Sequence, residues 1–202
     1  MTNARYVVAK LVEDPDQMLK SLHFIYNGFS EYEVALACSM LASKGELYTA
    51  SLDREDVRGE CGFTLRADLN FNDVNAAEFD ILVISGMLDA KPYWEAMSLF
   101  AKIAKFNSDG KVIAAICGGP LFLAKAGVLR GKRYTCGIPL EGRNEVGVFS
   151  GAEFVDQDVV TDQNLITAKG FATVGFALGI ADKLSLFSQN ERKTFESFWS
   201  VK

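Results

Sequence analysis

The chain has 202 residues, and its 49% hydrophobic content with 11% aromatic residues is enough for one substantial core. We therefore expect a single domain over 1–202. The net charge of -5, without any cluster of Lys and Arg, argues against a nucleic-acid or anionic-membrane surface. No apolar run approaches the roughly 18 residues of a membrane span, and the first residues lack the apolar core of a signal peptide. We expect a cytoplasmic protein that contacts neither nucleic acid nor membrane.

Strand-like and helical segments alternate along the chain, which favours an α/β fold with a mostly parallel sheet. We expect a three-layer sandwich with helices on both faces of that sheet. Predicted strands cover 22–26, 46–52, 80–85, 111–116, 133–135 and 164–168. Predicted helices cover 31–44, 93–107, 120–126 and 173–187.

Three other segments complete the predicted organisation. An amino-terminal extension, 1–20, precedes the first core strand and has no assigned role. A tight hairpin is predicted around 58–62, between the second and third sheet strands. Ser188 and Glu191 have the spacing of a capping box and predict a carboxy-terminal helix within 188–202.

The cysteines and the histidine limit the possible chemistry. The chain contains Cys38, Cys61, Cys117 and Cys136, with neither CxxC spacing nor the density of a disulfide scaffold. We therefore expect reduced thiols, no metal site and no cofactor. The single histidine, His23, lies in the predicted first strand, where a packed core residue is the expected role. Cysteine or serine mechanisms that need a histidine base have no obvious candidate.

The segment 114–120, Ala-Ala-Ile-Cys-Gly-Gly-Pro, is the most informative part of the chain. An apolar strand runs directly into Cys117, small residues flank the cysteine, and Pro120 suits the first turn of a helix. This pattern is typical of a nucleophile elbow, a sharp strand-to-helix turn that needs small neighbours. A position before a helix favours thiolate over thiol, so the sequence predicts a lowered thiol pKa. The alternative is an inert cysteine that ends a buried strand.

The loops that follow the other strands should meet Cys117, because sites in open α/β sheets form at the carboxyl ends of strands. Glu33, on the first predicted helix, is a candidate partner that exchanges a proton with the thiol. Its alternative role is a capping box with Ser30, in which the carboxylate binds the Ser30 N–H. Gly86 follows the third strand, and its N–H is a candidate oxyanion donor, although a glycine there is also typical of a simple turn.

These motifs resemble the ThiJ/PfpI superfamily, which is related to the Parkinson-associated deglycase and to class I glutamine-amidotransferase-like domains. The resemblance covers roughly 22–186 and rests on five segments: 28–33, 80–86, 114–127, 131–135 and 164–170. It implies a flavodoxin-like sandwich and a homodimer. It also implies that Cys117 is the nucleophile, Glu33 its acidic partner, and Gly86 and Gly118 the oxyanion donors.

The chain departs from the pattern of that superfamily at positions that matter for chemistry. Gly118 follows the nucleophile where peptidase-like members have histidine, and Cys136 follows Thr135 where glyoxalase-like members tend to have one. No histidine lies late enough for an amidotransferase triad. Met87 replaces a second glycine of many relatives, and together with Cys136 and Trp94 it is a candidate pocket residue.

Two functions remain open from the sequence. The first is a cysteine-dependent enzyme that acts on a small electrophilic substrate as a hydratase, amidohydrolase or glyoxalase-like enzyme. In it the Cys117 thiolate attacks and Glu33 moves the proton. The alternative is a non-catalytic redox or oxidative-stress protein whose Cys117 is oxidised to a sulfenic or sulfinic acid.

Overall fold

The computed structural model describes residues 18–53, 56–87 and 89–199, and a seven-stranded sheet lies at its centre. The sheet strands are β1 Leu19–Phe24, β2 Gly45–Ser51, β5 Leu69–Asn70, β6 Ile81–Ile84, β7 Val112–Ile116, β10 Val159–Asp162 and β11 Leu165–Ala168. Their order is β10-β11-β7-β6-β1-β2-β5. All neighbours are parallel except β10, which runs antiparallel to β11 at one edge.

Helices cover both faces of this sheet and produce the predicted three-layer architecture. The helices are α1 Glu31–Lys44, α2 Met97–Ser108, α3 Pro120–Lys125, α4 Leu140–Val146, α5 Thr173–Lys183 and α6 Gln189–Trp199. One apolar cluster contains side chains of α2 and α3, and a second contains side chains of α1 and α5. Because β6 and β7 lie between these clusters, every one of their residues is buried. This explains their near-continuous apolar sequence.

The predicted strand at 133–135 forms, but outside the main sheet. β8, Arg133–Tyr134, pairs with β9, Glu153–Phe154, in a separate two-stranded parallel sheet. The Arg133 N–H donates to the Asp162 side chain at 2.8 Å, so a side chain of the edge strand β10 satisfies this donor instead of a backbone ladder. The sequence also did not predict the short strands β5 and β10 or the helix α4.

The predicted hairpin is present as β3, Asp56–Arg58, and β4, Thr64–Arg66. The predicted helix 93–107 is divided into a 3-10 turn, Lys91–Tyr93, and α2. The break follows from Ala96, whose ψ of 72° is not helical.

The end of α5 comes earlier than predicted. The predicted helix 173–187 stops at Lys183, because Ser185 has a φ of 54° and turns the chain. The capping box that follows is confirmed: the Ser188 N–H donates to Glu191 Oε2 at 2.7 Å, and α6 begins there.

The amino-terminal extension, predicted over 1–20, falls mostly outside the described residues, and β1 already begins at Leu19. Among the helices of the described segments, none combines the length and apolar character that a membrane crossing requires.

Candidate active site

Cys117 is held in a strained turn between β7 and α3. Its φ of 58° lies in the left-handed region, which costs a non-glycine residue about 1 to 3 kcal/mol. Gly119 follows two residues later, and a Cβ built there would lie 2.7 Å from the Ser85 carbonyl oxygen. The close backbone approach therefore requires glycine at 119. These observations confirm the predicted elbow geometry.

Two backbone hydrogen bonds fix the elbow to neighbouring loops. The Cys117 N–H donates to the Ala168 carbonyl at the end of β11, at 2.8 Å. The Cys117 carbonyl accepts from the Gly137 N–H at 2.7 Å. The cysteine backbone is thus bonded on both sides, and this rigid support holds the strained conformation.

Glu33 lies in the first turn of α1, and only 1% of its surface is exposed. Its Oε2 accepts a hydrogen bond from the Gly86 N–H at 2.7 Å, and the carboxyl group also hydrogen-bonds with the Cys117 thiol. The structure therefore brings together two residues that are 84 positions apart in the sequence (117 − 33).

The alternative role of Glu33 in a capping box is wrong. The Ser30 N–H donates to the Gly86 carbonyl at 3.0 Å, and the Ser30 hydroxyl donates to the Glu60 carboxylate. Ser30 makes no side-chain cap to α1. The first turn of α1 therefore directs Glu33 to the thiol and the Gly86 amide.

The protonation state of this pair differs from the sequence prediction. Burial raises the pKa of Glu33, although its hydrogen bonds to Cys117 and Gly86 oppose that rise. Burial and the adjacent Glu33 carboxylate raise the pKa of Cys117 to about 12, against a smaller opposing effect of the Gly118 N–H. This direction is the opposite of the lowering that the sequence predicts. With only six residues, α3 stabilises a thiolate too weakly to offset burial and a neighbouring carboxylate.

The oxyanion donors also need a correction. The Gly86 N–H is bonded to Glu33, so it positions the carboxyl group and is not free for an oxyanion. The Gly118 N–H lies against the Cys117 sulfur. A Cβ built on Gly118 would lie 3.5 Å from the Met87 nitrogen, so the Met87 amide is next to this position.

The Met87 N–H is not used by the short bridge that Met87 forms with Phe29. The hydrogen bond of that antiparallel bridge runs from the Ser30 N–H to the Gly86 carbonyl, which places Met87 in the non-hydrogen-bonded position. The backbone donor that the sequence assigned to Gly86 is therefore better assigned to Met87. Nothing in the sequence at Gly86 and Met87 indicated that the donor would be Met87 instead of Gly86.

Two glycines that the sequence did not single out for the site contact the thiol directly. A Cβ on Gly137 would lie 2.9 Å from Cys117 Sγ, and a Cβ on Gly170 would lie 2.9 Å from Sγ and 3.1 Å from Glu33 Oε1. Both positions exclude any side chain while the thiol and carboxyl keep their places. The residue that faces the thiol after Thr135 is thus Gly137, one position later than Cys136.

A cavity of about 600 Å³ opens beside the pair. Cys117, Glu33, Gly137 and Gly170 line it, and Cys136 does as well, as the sequence predicted. Its other walls are mainly apolar, from Tyr32, Ile138, Pro139, Phe154 and Phe171, with the cationic side chains of Arg143 and Lys169.

Two of the candidate pocket residues lie elsewhere. Met87 packs against the apolar cluster of α2 and α3, and its side chain does not line the cavity. The Trp94 ring packs under the Lys125 ammonium, with 4.2 Å from Nζ to the ring centroid, and is also outside the cavity lining.

His23 takes no part in the site. It is buried in β1, and its Nδ1 lies 3.8 Å from the sulfur of Cys38. Burial lowers the pKa of His23 to about 4, so it is neutral near pH 7. Within the described segments, no group of three or more His, Cys, Asp or Glu side chains has the arrangement of a metal site.

Comparisons with known proteins agree with this geometry. The model of the DJ-1/PfpI family matches residues 20–183. A deglycase of Pyrococcus horikoshii is 34% identical over 152 residues, which cover 75% of this chain and 90% of that protein. The dj-1beta protein of Drosophila melanogaster is 33% identical over 162 residues, 78% of this chain and 85% of the relative.

Solved structures show the same fold. The crystal structure of Drosophila melanogaster DJ-1beta superposes with a TM-score of 0.76 at 27% identity, over 92% of this chain and 99% of the other. A thiJ/pfpI family protein of Bacillus anthracis superposes with a TM-score of 0.83 at 20% identity, over 92% of this chain and 93% of the other. The elbow cysteine, the three-layer fold and the family match lead to one conclusion: the chain belongs to the DJ-1/PfpI family.

Proposed function

We propose that this protein is a cysteine-dependent enzyme that acts on a small carbonyl compound or a carbonyl-derived adduct. The observation that carries the proposal is the buried Glu33 carboxyl group in contact with the Cys117 thiol, at a strained elbow beside a cavity. Strain and a buried acid destabilise the fold, and they are typical of catalytic sites. Relatives named deglycases favour carbonyl chemistry over hydration or amide hydrolysis.

The raised thiol pKa makes Glu33 the base of the first step. As Cys117 Sγ attacks a carbonyl carbon, the S–C bond forms and the thiol proton passes to Glu33. The C=O double bond becomes a single bond, the Gly118 N–H stabilises the sulfur as its proton leaves, and the Met87 amide is our candidate donor for the developing oxyanion. Glu33 then returns the proton to that oxygen, which gives a neutral hemithioacetal.

The absence of a histidine at the site supports the assignment of Cys117 as nucleophile and Glu33 as base. Among the residues that line the cavity, Glu33 is the only carboxyl group, and no imidazole is present. A cysteine protease or glutaminase uses a histidine to protonate an amine leaving group. The site therefore favours reversible additions to carbonyls, in which one carboxyl group takes and returns the proton.

Turnover measurements on two variants test the proposal, with methylglyoxal as the probe. Cys117→Ser removes the nucleophile and Glu33→Gln removes the base, so each should lower kcat/KM by about 100-fold or more. Cys61→Ser is the matched control, because Cys61 is exposed on the hairpin and away from the cavity lining. Retention of turnover by both site variants would exclude this mechanism.

Oxidation sensing is the second candidate, and the Gly118 N–H against the Cys117 sulfur favours it, because such a donor stabilises a sulfinate. The raised thiol pKa argues against it, since oxidation follows thiolate character. Peptide mass spectrometry after mild peroxide treatment separates the two functions. Selective oxygen addition at Cys117 with no carbonyl turnover would favour the sensor, and equal oxidation of all four cysteines would eliminate it.

A further inference from the structure

One of the two cations that line the cavity beside Cys117 forms no ion pair with a carboxylate of the described residues. Arg143 lies on α4 and lines this cavity, and within the described segments it forms no ion pair with an Asp or Glu. Lys169 also lines the cavity, but its Nζ lies 2.7 Å from Asp156 and 3.8 Å from Asp158. Arg143 is therefore the cation available to a bound anion.

The Arg143 guanidinium is held in a fixed position. Its central carbon lies 3.5 Å from the centroid of the Phe154 ring, a cation–π contact that holds the guanidinium against the ring. Burial raises the pKa of the Tyr134 hydroxyl, and a hydrogen bond from the Arg143 side chain partly offsets that rise, so Tyr134 also holds the guanidinium in place. Arg143 Nε is buried without a hydrogen-bond partner among the described residues. The guanidinium has five N–H donors, so Nε and the terminal N–H groups that do not bond Tyr134 remain for a ligand.

We propose that Arg143 binds the carboxylate of a small oxo-acid substrate whose carbonyl carbon reaches Cys117. A planar guanidinium that bonds Tyr134 with one of its five N–H groups keeps enough donors to bind a carboxylate in a bidentate arrangement. The enzyme therefore prefers carbonyl compounds that carry a carboxylate over neutral ones of similar size. This inference rests on the proposed function, because it names the substrate class of the same site.

The connection between the thiol and α4 favours a short substrate. Gly137 is bonded to the Cys117 carbonyl, and only Ile138 and Pro139 separate it from the start of α4. Gly137 and Gly170 also line the cavity, and neither places a side chain beside the sulfur.

The chemical step is the one proposed above and needs no further reactant. Sγ forms a bond to the aldehyde carbon, the C=O π bond breaks, and the thiol proton reaches the new oxygen through Glu33. The carboxylate at Arg143 neither gains nor loses atoms. Its role is to orient the reacting carbon.

Protection of Cys117 from iodoacetamide measures this preference directly. Glyoxylate and methylglyoxal are compared as the charged and neutral aldehydes, and each half-protecting concentration is divided by the value for free N-acetylcysteine. We expect glyoxylate to protect at a concentration at least 10-fold lower after this correction. Arg143→Gln should reduce the preference by about 10- to 100-fold.

Three comparisons make the measurement specific. Arg133→Gln removes the same charge from an exposed arginine on β8 outside the cavity, and should leave the preference within twofold. Arg143→Lys keeps the charge without the guanidinium fork, and should retain part of the preference. Protection by glycolaldehyde phosphate is compared with protection by glycolaldehyde, which tests whether Arg143 prefers a phosphate to a carboxylate. A larger Arg143-dependent preference in that pair would overturn the carboxylate assignment.

A binding measurement separates failure of the anion site from failure of the proposed function. Glycolate cannot react with a thiol, so its affinity for Cys117→Ser by calorimetry tests the site alone. We expect Arg143→Gln to weaken the binding of glycolate to the Cys117→Ser variant at least 10-fold. Arg143-dependent glycolate binding without any carbonyl protection of Cys117 would leave the anion site standing and overturn the proposed function. Glycolate binding that is undetectable or independent of Arg143, or a glyoxylate preference that survives in Arg143→Gln, would overturn the inference.

Discussion

At the scale of single residues, the contacts of the Cys117 sulfur determine the chemistry of the site. Cys117 was recognisable from its small neighbours and its place between a strand and a helix. Glu33 was recognisable as a candidate, but its role was not, because Ser30 and Glu33 have the spacing of a capping box as well. Only the packed structure shows that the carboxyl group is bonded to the Gly86 amide and the thiol.

The contacts of Gly137 lead to a prediction about reactivity. A Cβ there would lie 2.9 Å from Cys117 Sγ, so Gly137→Ala should displace the sulfur and lower its alkylation rate at least 10-fold. Overpacking of this kind costs about 1 to 3 kcal/mol, so the free energy of unfolding should fall by that amount. Peptide mass spectrometry provides an internal control, because exposed Cys61 should react at its ordinary rate. An unchanged Cys117 rate would contradict the packing.

At the scale of elements, apolar runs and helix signals were enough for the main architecture. The buried strands β6 and β7 and the helix α1 were predicted within a residue or two, because burial on both faces leaves a continuous apolar run. The edge strand β10 and the separate pair β8 and β9 were not predicted correctly. Such strands contain two to four residues, and their pairing depends on contacts such as that of Asp162 with the Arg133 amide.

The capping box of α6 predicts how stability depends on pH. Bonds to Ser188 and Lys44 lower the pKa of Glu191 to about 2, below its unfolded value of about 4.3. A depressed carboxyl pKa stabilises the fold above the unfolded value, and this stabilisation is lost as pH falls toward the folded value. Glu191→Ala should therefore cost about 1 kcal/mol at pH 7 and progressively less below pH 4.3.

Urea unfolding between pH 7 and pH 3 measures this difference. Glu196→Ala is the matched control on the same helix, where an exposed pair with Arg192 should contribute about 0.5 kcal/mol or less. If Glu191→Ala lowered the free energy of unfolding by the same amount at every pH, the ionised carboxylate would not be the capping group.

At the scale of the whole molecule, the resemblance predicts a homodimer. Exposed apolar side chains occur on α1 and on the hairpin, where Tyr32 is 55% exposed and Phe63 is 64% exposed. Sedimentation equilibrium at micromolar concentration should give about twice the chain mass of 22.1 kDa. A single species at the chain mass would contradict the prediction.

The central claim is that Glu33 is the base for a Cys117 thiol, and the pH dependence of Cys117 alkylation by iodoacetamide tests it most directly. We predict a midpoint well above the roughly 8.5 of a free thiol in the wild type. Glu33→Gln should move the midpoint to lower pH, because the carboxylate that raises the thiol pKa is gone, and should nevertheless abolish carbonyl turnover. Glu31→Gln is the matched control, because Glu31 is the other acidic residue in the first turn of α1 and lies two positions before Glu33; it should leave the midpoint unchanged. A wild-type midpoint well below 8.5 that rises in Glu33→Gln would contradict the account, because it would show a preformed thiolate stabilised by a protonated Glu33.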